Sequence, residues 1–84
     1  MFLIIKASGQ HVGDFKSETL EQMQQAVGGY IEPVYTNNKV VIVDEEGLLK
    51  NLPLNIEVSA MVGKMIVGDA IVFTPKEWRD RNKI

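Results

Sequence analysis

Two short runs of uninterrupted apolar residues constrain this chain more than any other feature: Phe2 to Ile5 and Val40 to Val43. Each is too short for a helix buried all round, and neither alternates polar with apolar. Such runs read as inner strands covered on both faces. The first is expected to extend from Phe2 to Ala7 and the second from Lys39 to Val43. Any fold for this chain must therefore build a sheet and cover it.

The segments between supply the cover. Ser8-Gly9-Gln10-His11-Val12-Gly13-Asp14 reads as a turn or exposed loop, with a short extended return near Asp14 to Lys16. A helix is expected from Ser17 or Thr19, because Thr19 and Gln22 fit a capping box. Leu20, Met23, Ala26 and Val27 form its apolar stripe, and Gly28-Gly29 stops it. Tyr30 to Tyr35 then pairs with Lys39 to Val43 across Thr36-Asn37-Asn38, a good hairpin connection. Pro33 cannot donate a ladder hydrogen bond, so its strand is expected at an edge or bulged.

Leu48 to Asn55 is expected to cross the core irregularly, and Asn55 to cap a short helix over Ile56 to Met61 with Ala60 and Met61 inward. Met65 to Val67 and Ala70 to Phe73 read as one further strand, with Gly68-Asp69 a point of interruption. Thr74, Pro75 and Glu77 open a C-terminal helix as cap, first position and capping-box partner, and Trp78 anchors it. The expected class is α+β: a small mixed, mainly antiparallel sheet of four to five strands with helices packed on one side. The 84 residues, read as a complete small protein, make a single domain over 1–84. Domains this small bury a limited share of their surface, and many gain burial by forming oligomers.

Composition narrows the function. Nine basic residues stand against eleven acidic ones, for a net charge of −2 and a pI near 5.3. That balance disfavours binding to long nucleic acid, which needs a basic face. The absence of cysteine excludes disulfides, thiolate metal sites and a cysteine nucleophile, and suits a reducing cytoplasm. No signal peptide or membrane-spanning run is present. His11 is the single histidine, expected to be solvated. No metal or other cofactor is expected, and no converging set of titratable groups suggests an enzyme.

Four features are candidate sites. Asp44-Glu45-Glu46 reads as a solvated turn rather than a cation site. Gly28-Gly29 follows a helix instead of preceding one, which favours a cap over a phosphate cradle. The second glycine exceeds what a cap needs, so it permits close approach by a ligand or another backbone. Lys76, Trp78, Arg79, Arg81 and Lys83 form a basic-aromatic cluster in which Trp78 and Arg81 share a helix face. It suits either stacking a base and holding a phosphate or simple anchoring of the helix. Tyr30 and Tyr35 should point to opposite faces, one in the core and one exposed.

Four pieces of the chain, in this order, carry a resemblance. They are Leu20-Glu21-x-Met23-Gln24-x-x-Val27-Gly28-Gly29-Tyr30-Ile31-Glu32, Val41-Ile42-Val43-Asp44-Glu45-Glu46-Gly47-Leu48, Leu52-Pro53-Leu54-Asn55, and Ile66-Val67-Gly68-Asp69-Ala70-Ile71-Val72. Together they resemble a family of small uncharacterised domains common in tailed bacteriophages and bacterial mobile elements. Asp44 departs from the pattern, which has asparagine in that turn; if the side chain touches a ligand, ligand choice differs here. The resemblance implies an accessory phage protein acting in the host cytoplasm. By analogy with anti-defence sponges of similar size, it implies a homo-oligomer that sequesters a cyclic nucleotide immune signal without cleaving it. On that reading Gly28, Gly29 and Tyr30 line the site, and Asn55, Trp78, Arg79 or Arg81 supply polar or stacking contacts. The alternative is a protein-binding module whose edge strand near Tyr30 to Tyr35 accepts a partner.

Overall fold

The computed structural model describes residues 2–15 and 19–81. Five strands, β1 (Phe2–Ile5), β2 (His11–Phe15), β3 (Ile31–Tyr35), β4 (Val40–Asp44) and β5 (Ala70–Phe73), form one sheet in the order β2-β1-β5-β4-β3. Every pairing is antiparallel. Three helices accompany them: α1 (Leu20–Val27), α2 (Ile56–Val62) and α3 (Pro75–Arg81). The α+β class is as expected, with five strands.

Both apolar runs lie inside the sheet, in β1 and β4, and their alternate residues feed two cores. Ile4, Val40, Ile42, Ile71 and Phe73 face Met23 and Val27 of α1, with Trp78 of α3 packed at the margin. Ile5, Val41, Val43, Ala70 and Val72 face Val58 of α2 and Ile66. The expected one-sided cover therefore describes α1 and α3, while α2 and the chain around Ile66 cover the other face. A strand apolar at every position requires this, because each face must be removed from water.

Local chemistry sets the helix ends. The Thr19 hydroxyl accepts from the Gln22 N–H at 3.1 Å, and the Gln22 side chain accepts from the Thr19 N–H at 3.2 Å. Ser17, the alternative cap, lies outside the described residues, as does Lys16 of the expected return. Gly28 closes α1 in the left-handed region at φ 89°. Thr74 and Glu77 repeat the reciprocal bonding at α3, at 2.8 and 3.1 Å. Trp78 meets Phe73 edge-on at 5.4 Å between ring centroids, so it anchors α3 as expected.

Several expectations change. The return strand begins at His11, not near Asp14, because Lys6 donates to the Gln10 carbonyl and closes a tight turn. His11 is thus on a strand, and its Nε2 lies 2.7 Å from the Glu57 carboxylate. Leu20, assigned to the buried stripe, is exposed at the first helical position, beyond the reach of the sheet. Val58 and Val62, not Ala60 and Met61, turn inward from α2, since the helix presents its 58/62 face to the sheet. Residues 65–67 join no strand. The Ser59 hydroxyl takes the Ile66 N–H, the Asn55 N–H bonds the Ile66 carbonyl, and only an isolated bridge links Val67 to Leu54. Tyr30 and Tyr35 are both exposed, at 65% and 66%, because β3 is an edge strand and they flank its two ends.

Candidate functional site

The seven residues expected to form a site fall into three places. Gly28, Gly29 and Tyr30 connect α1 to β3, beside the end of β4 where Ile31 pairs with Asp44. Asp44 is not in a solvated turn. Its side chain is only 1% exposed, and it accepts from Lys50 Nζ at 2.8 Å and from the Glu46 N–H at 2.8 Å. Lys50 also donates to the Gly28 carbonyl at 3.0 Å, so one ammonium ties the α1 C-cap to the turn after β4. A Cβ on Gly29 would overlap Lys50 Nζ and meet the two Asp44 carboxylate oxygens at 3.0 and 3.1 Å. What approaches the second glycine is therefore this ion pair.

The pair also sets its own charge state. Burial alone pushes the Asp44 carboxyl up, but the Lys50 ammonium and the Glu46 amide outweigh it and hold it below the ordinary aspartate value. The Asp44 carboxylate in turn raises Lys50 above the ordinary lysine value. Both groups are thus charged at neutral pH. Glu45 and Glu46, unlike Asp44, are exposed.

Asn55 is 1% exposed and committed to the fold. Its Oδ1 accepts from the Val58 N–H at 3.1 Å, as the α2 cap. Its Nδ2 donates to the carbonyls of Ile5 at 2.8 Å and Gly68 at 2.9 Å. One amide therefore joins β1, the approach to β5 and α2, with both Nδ2 hydrogens spent inside the fold. Trp78 and Arg79 sit on α3, over Phe73, which pairs with Val40 at the far end of β4 from Asp44. Arg79 is exposed; Arg81 ends α3, but its side chain, like all of Lys83, lies outside the described residues. The fold does not bring Gly28–Tyr30, Asn55 and Trp78 together.

Two other surfaces stand out. On the α2 side, Leu48, Ile56, Met61 and Met65 are exposed, and Leu49 and Leu54 are exposed in the crossing that leads into α2, Leu49 and Ile56 most of all at 81% and 73%. Leu48 and Met65 line one depression of about 240 Å³, with Glu32, Glu45 and Lys64 at its rim. On the α1 side, a groove of about 640 Å³ is lined by Ile4, Val12 and Ala26 and by the polar groups of Lys6, Gln22, Gln25 and Asp69. Gln22 is partly spent on the α1 cap, and Asp69 accepts from the Ala7 N–H at 3.0 Å.

Sequence reasoning passed over both. The α2 surface had a readable signal: Ile56, Val58, Met61 and Val62 exceed one stripe, so a short helix is apolar on more than the face it can bury. The groove had none, because Lys6, Gln25 and Asp69 are brought together only by the pairing of β1 with β5 and the seat of α1. Among the described residues no group of three or more His, Asp or Glu is placed to hold a metal ion. None of their helices is long and apolar enough to cross a membrane.

These features define a small antiparallel α+β domain with helices on both faces of its sheet, a grooved α1 side and an apolar α2 side. The chain belongs to the DUF3846 family, a domain of unknown function, whose family model matches residues 1–82. No curated protein and no solved structure matches it.

Proposed function

We propose that this domain acts by contact, as a protein-binding module whose α2 face docks on another polypeptide. The observation that carries this is the set of large apolar side chains, Leu48, Ile56, Met61 and Met65 among them, left exposed on and beside α2. Several large apolar side chains left in water beside one short helix of a small domain fit an interaction site. The depression between Leu48 and Met65, at about 240 Å³, lies below the roughly 300–1,000 Å³ of typical small-molecule clefts, and a second beside Met61, at about 320 Å³, lies at the foot of that range. The first suits an inserted side chain. The test is site-specific photo-cross-linking in the cells that make the protein, with a photoreactive residue at Ile56 and, as control, at Glu21 on the exposed side of α1. A discrete cross-linked polypeptide at Ile56 alone is expected; equal labelling at both positions, or none, contradicts the reading.

A second reading follows from the family resemblance: an accessory phage protein in the host cytoplasm that sequesters a cyclic nucleotide signal intact, as a homo-oligomer. The α1-side groove favours it, because about 640 Å³ lies within the small-ligand range and Lys6 offers an ammonium beside an apolar floor. On this reading the ligand rests on Lys6, Gln25 and Asp69, with Tyr30 and Arg79 as contacts a second copy would bring. A thermal-shift screen against cyclic mono-, di- and trinucleotides checks it. Ligand at about 100 times its Kd adds roughly 2.7 kcal/mol to the folded state. A selective rise abolished by Lys6→Ala supports sequestration, and a flat screen removes it.

A further inference from the structure

The α2 face carries chemistry that specifies what it takes, and β3 bears directly on how. The Glu45 N–H donates to the Tyr30 carbonyl at 2.9 Å, and the Thr36 N–H to the Lys39 carbonyl at 2.9 Å. In the antiparallel register of β3 with β4, even-numbered residues thus direct their backbone groups at β4. Ile31, Pro33 and Tyr35 direct theirs outward. Pro33 has no N–H, so the outer edge of β3 lacks its central donor. A partner strand added there would leave one of its own acceptors unpaired, the device by which edge strands resist augmentation.

Beside that blunted edge lies the depression between Leu48 and Met65. Glu32 stands on its rim because it shares the α2 face of β3 with buried Val34, two residues on. Glu45 rises from the turn after β4. Both are exposed and make no side-chain hydrogen bond or ion pair among the described residues, while Asp44 is spent on Lys50. Lys64 is the single cation of the rim. The depression therefore combines the apolar side chains of Leu48 and Met65 with a net acidic set of free charges.

We propose that the occupant of this depression is a short polypeptide segment carrying a large apolar side chain flanked by Lys or Arg. The apolar side chain enters between Leu48 and Met65, the cations meet Glu32 and Glu45, and no strand is added to β3. The proposal rests on the contact reading above and adds the chemistry of the partner.

The experiment is selection of a random displayed peptide library on the intact protein, followed by amide chemical-shift mapping with the best peptide. Enriched peptides should place Lys or Arg beside Leu, Ile, Met or Phe, and shifts should centre on Glu32, Leu48 and Met65. Joint Glu32→Lys and Glu45→Lys substitution should weaken binding by about tenfold or more, with an affinity that falls as salt rises. Pro33→Thr should leave affinity unchanged; a gain, with shifts running along Ile31 and Tyr35, would mean strand addition and overturn the proposal. Enriched peptides that are acidic or uncharged overturn it too. If no peptide is enriched while cross-linking at Ile56 succeeds, the partner is a folded surface and this proposal alone falls. If both fail, the contact reading falls with it.

Discussion

The two faces of the sheet are built from the same strands yet finished differently. On one, α1 and α3 are held by reciprocal capping boxes, and Met23, Val27 and Phe73 are buried against them. On the other, a seven-residue helix and an irregular crossing do the covering, and apolar side chains remain in water around it. The difference is not one of weak construction. Asn55 and Ser59 fix the α2 side with buried or partly buried polar bonds, while the Asp44–Lys50 pair ties the α1 C-cap to the turn after β4. The α2 face is rigidly supported and still incompletely covered, which is the arrangement expected of a docking surface rather than of a poorly packed core.

Substitutions can break or sharpen that contrast. The largest effect is expected on the α1 face. Phe73 is fully buried, so Phe73→Ala should cost about 3–5 kcal/mol in urea unfolding. Asn55→Ala comes next. It strands the Ile5 and Gly68 carbonyls and the Val58 N–H, and a loss of about 2–3 kcal/mol is expected, seen as a Tm drop of ~10 °C or more. A loss near zero would mean that Asn55 is available for other work.

Gly29→Ala should be milder, at about 1 kcal/mol, because Lys50 can swing away from the new methyl at the expense of its bonds. The same substitution in a Lys50→Ala background should cost less, and a fully additive pair would break the link drawn between them. The pair also makes a pH prediction. Asp44 is lowered on folding, so its contribution is present above the ordinary aspartate value and disappears as pH falls through the folded value. Lys50 is raised, so its contribution is present below the ordinary lysine value and lost as pH rises through the folded one. Stability should be flat around neutrality and erode at both extremes. Asp44→Asn should flatten the acid limb in urea titrations repeated across pH. The smallest effect is expected on the α2 face, where Ile56→Lys should shift stability by no more than about 0.5 kcal/mol.

The order of elements was legible because each is marked by local chemistry: apolar runs for β1 and β4, Thr19 with Gln22 for α1, Thr74 with Pro75 and Glu77 for α3. What was not legible depends on tertiary partners. Nothing in the spacing of Asp44 and Lys50 announces an ion pair, since a turn folds one back on the other and Gly29 supplies the room. Asn55 carries a cap signal, but its bonds to Ile5 and Gly68 span 50 and 13 residues. Leu48, Leu54 and Met61 carry the hydropathy of core residues, yet all three are exposed. The proposed site residues were scattered for the same reason: Gly28–Tyr30 and Trp78 lie at opposite ends of β4, a separation set by strand register.

The account turns on whether the apolar residues of the α2 side serve binding rather than stability. The direct measurement compares the wild type with a joint Ile56→Lys and Met65→Lys variant for Tm and for whether a discrete polypeptide co-purifies from the cells that make the protein. A polypeptide retained by the wild type and lost from the variant is expected, with a variant Tm within ~4 °C of wild type. A variant that unfolds as Phe73→Ala does, or that keeps the partner, would contradict the account.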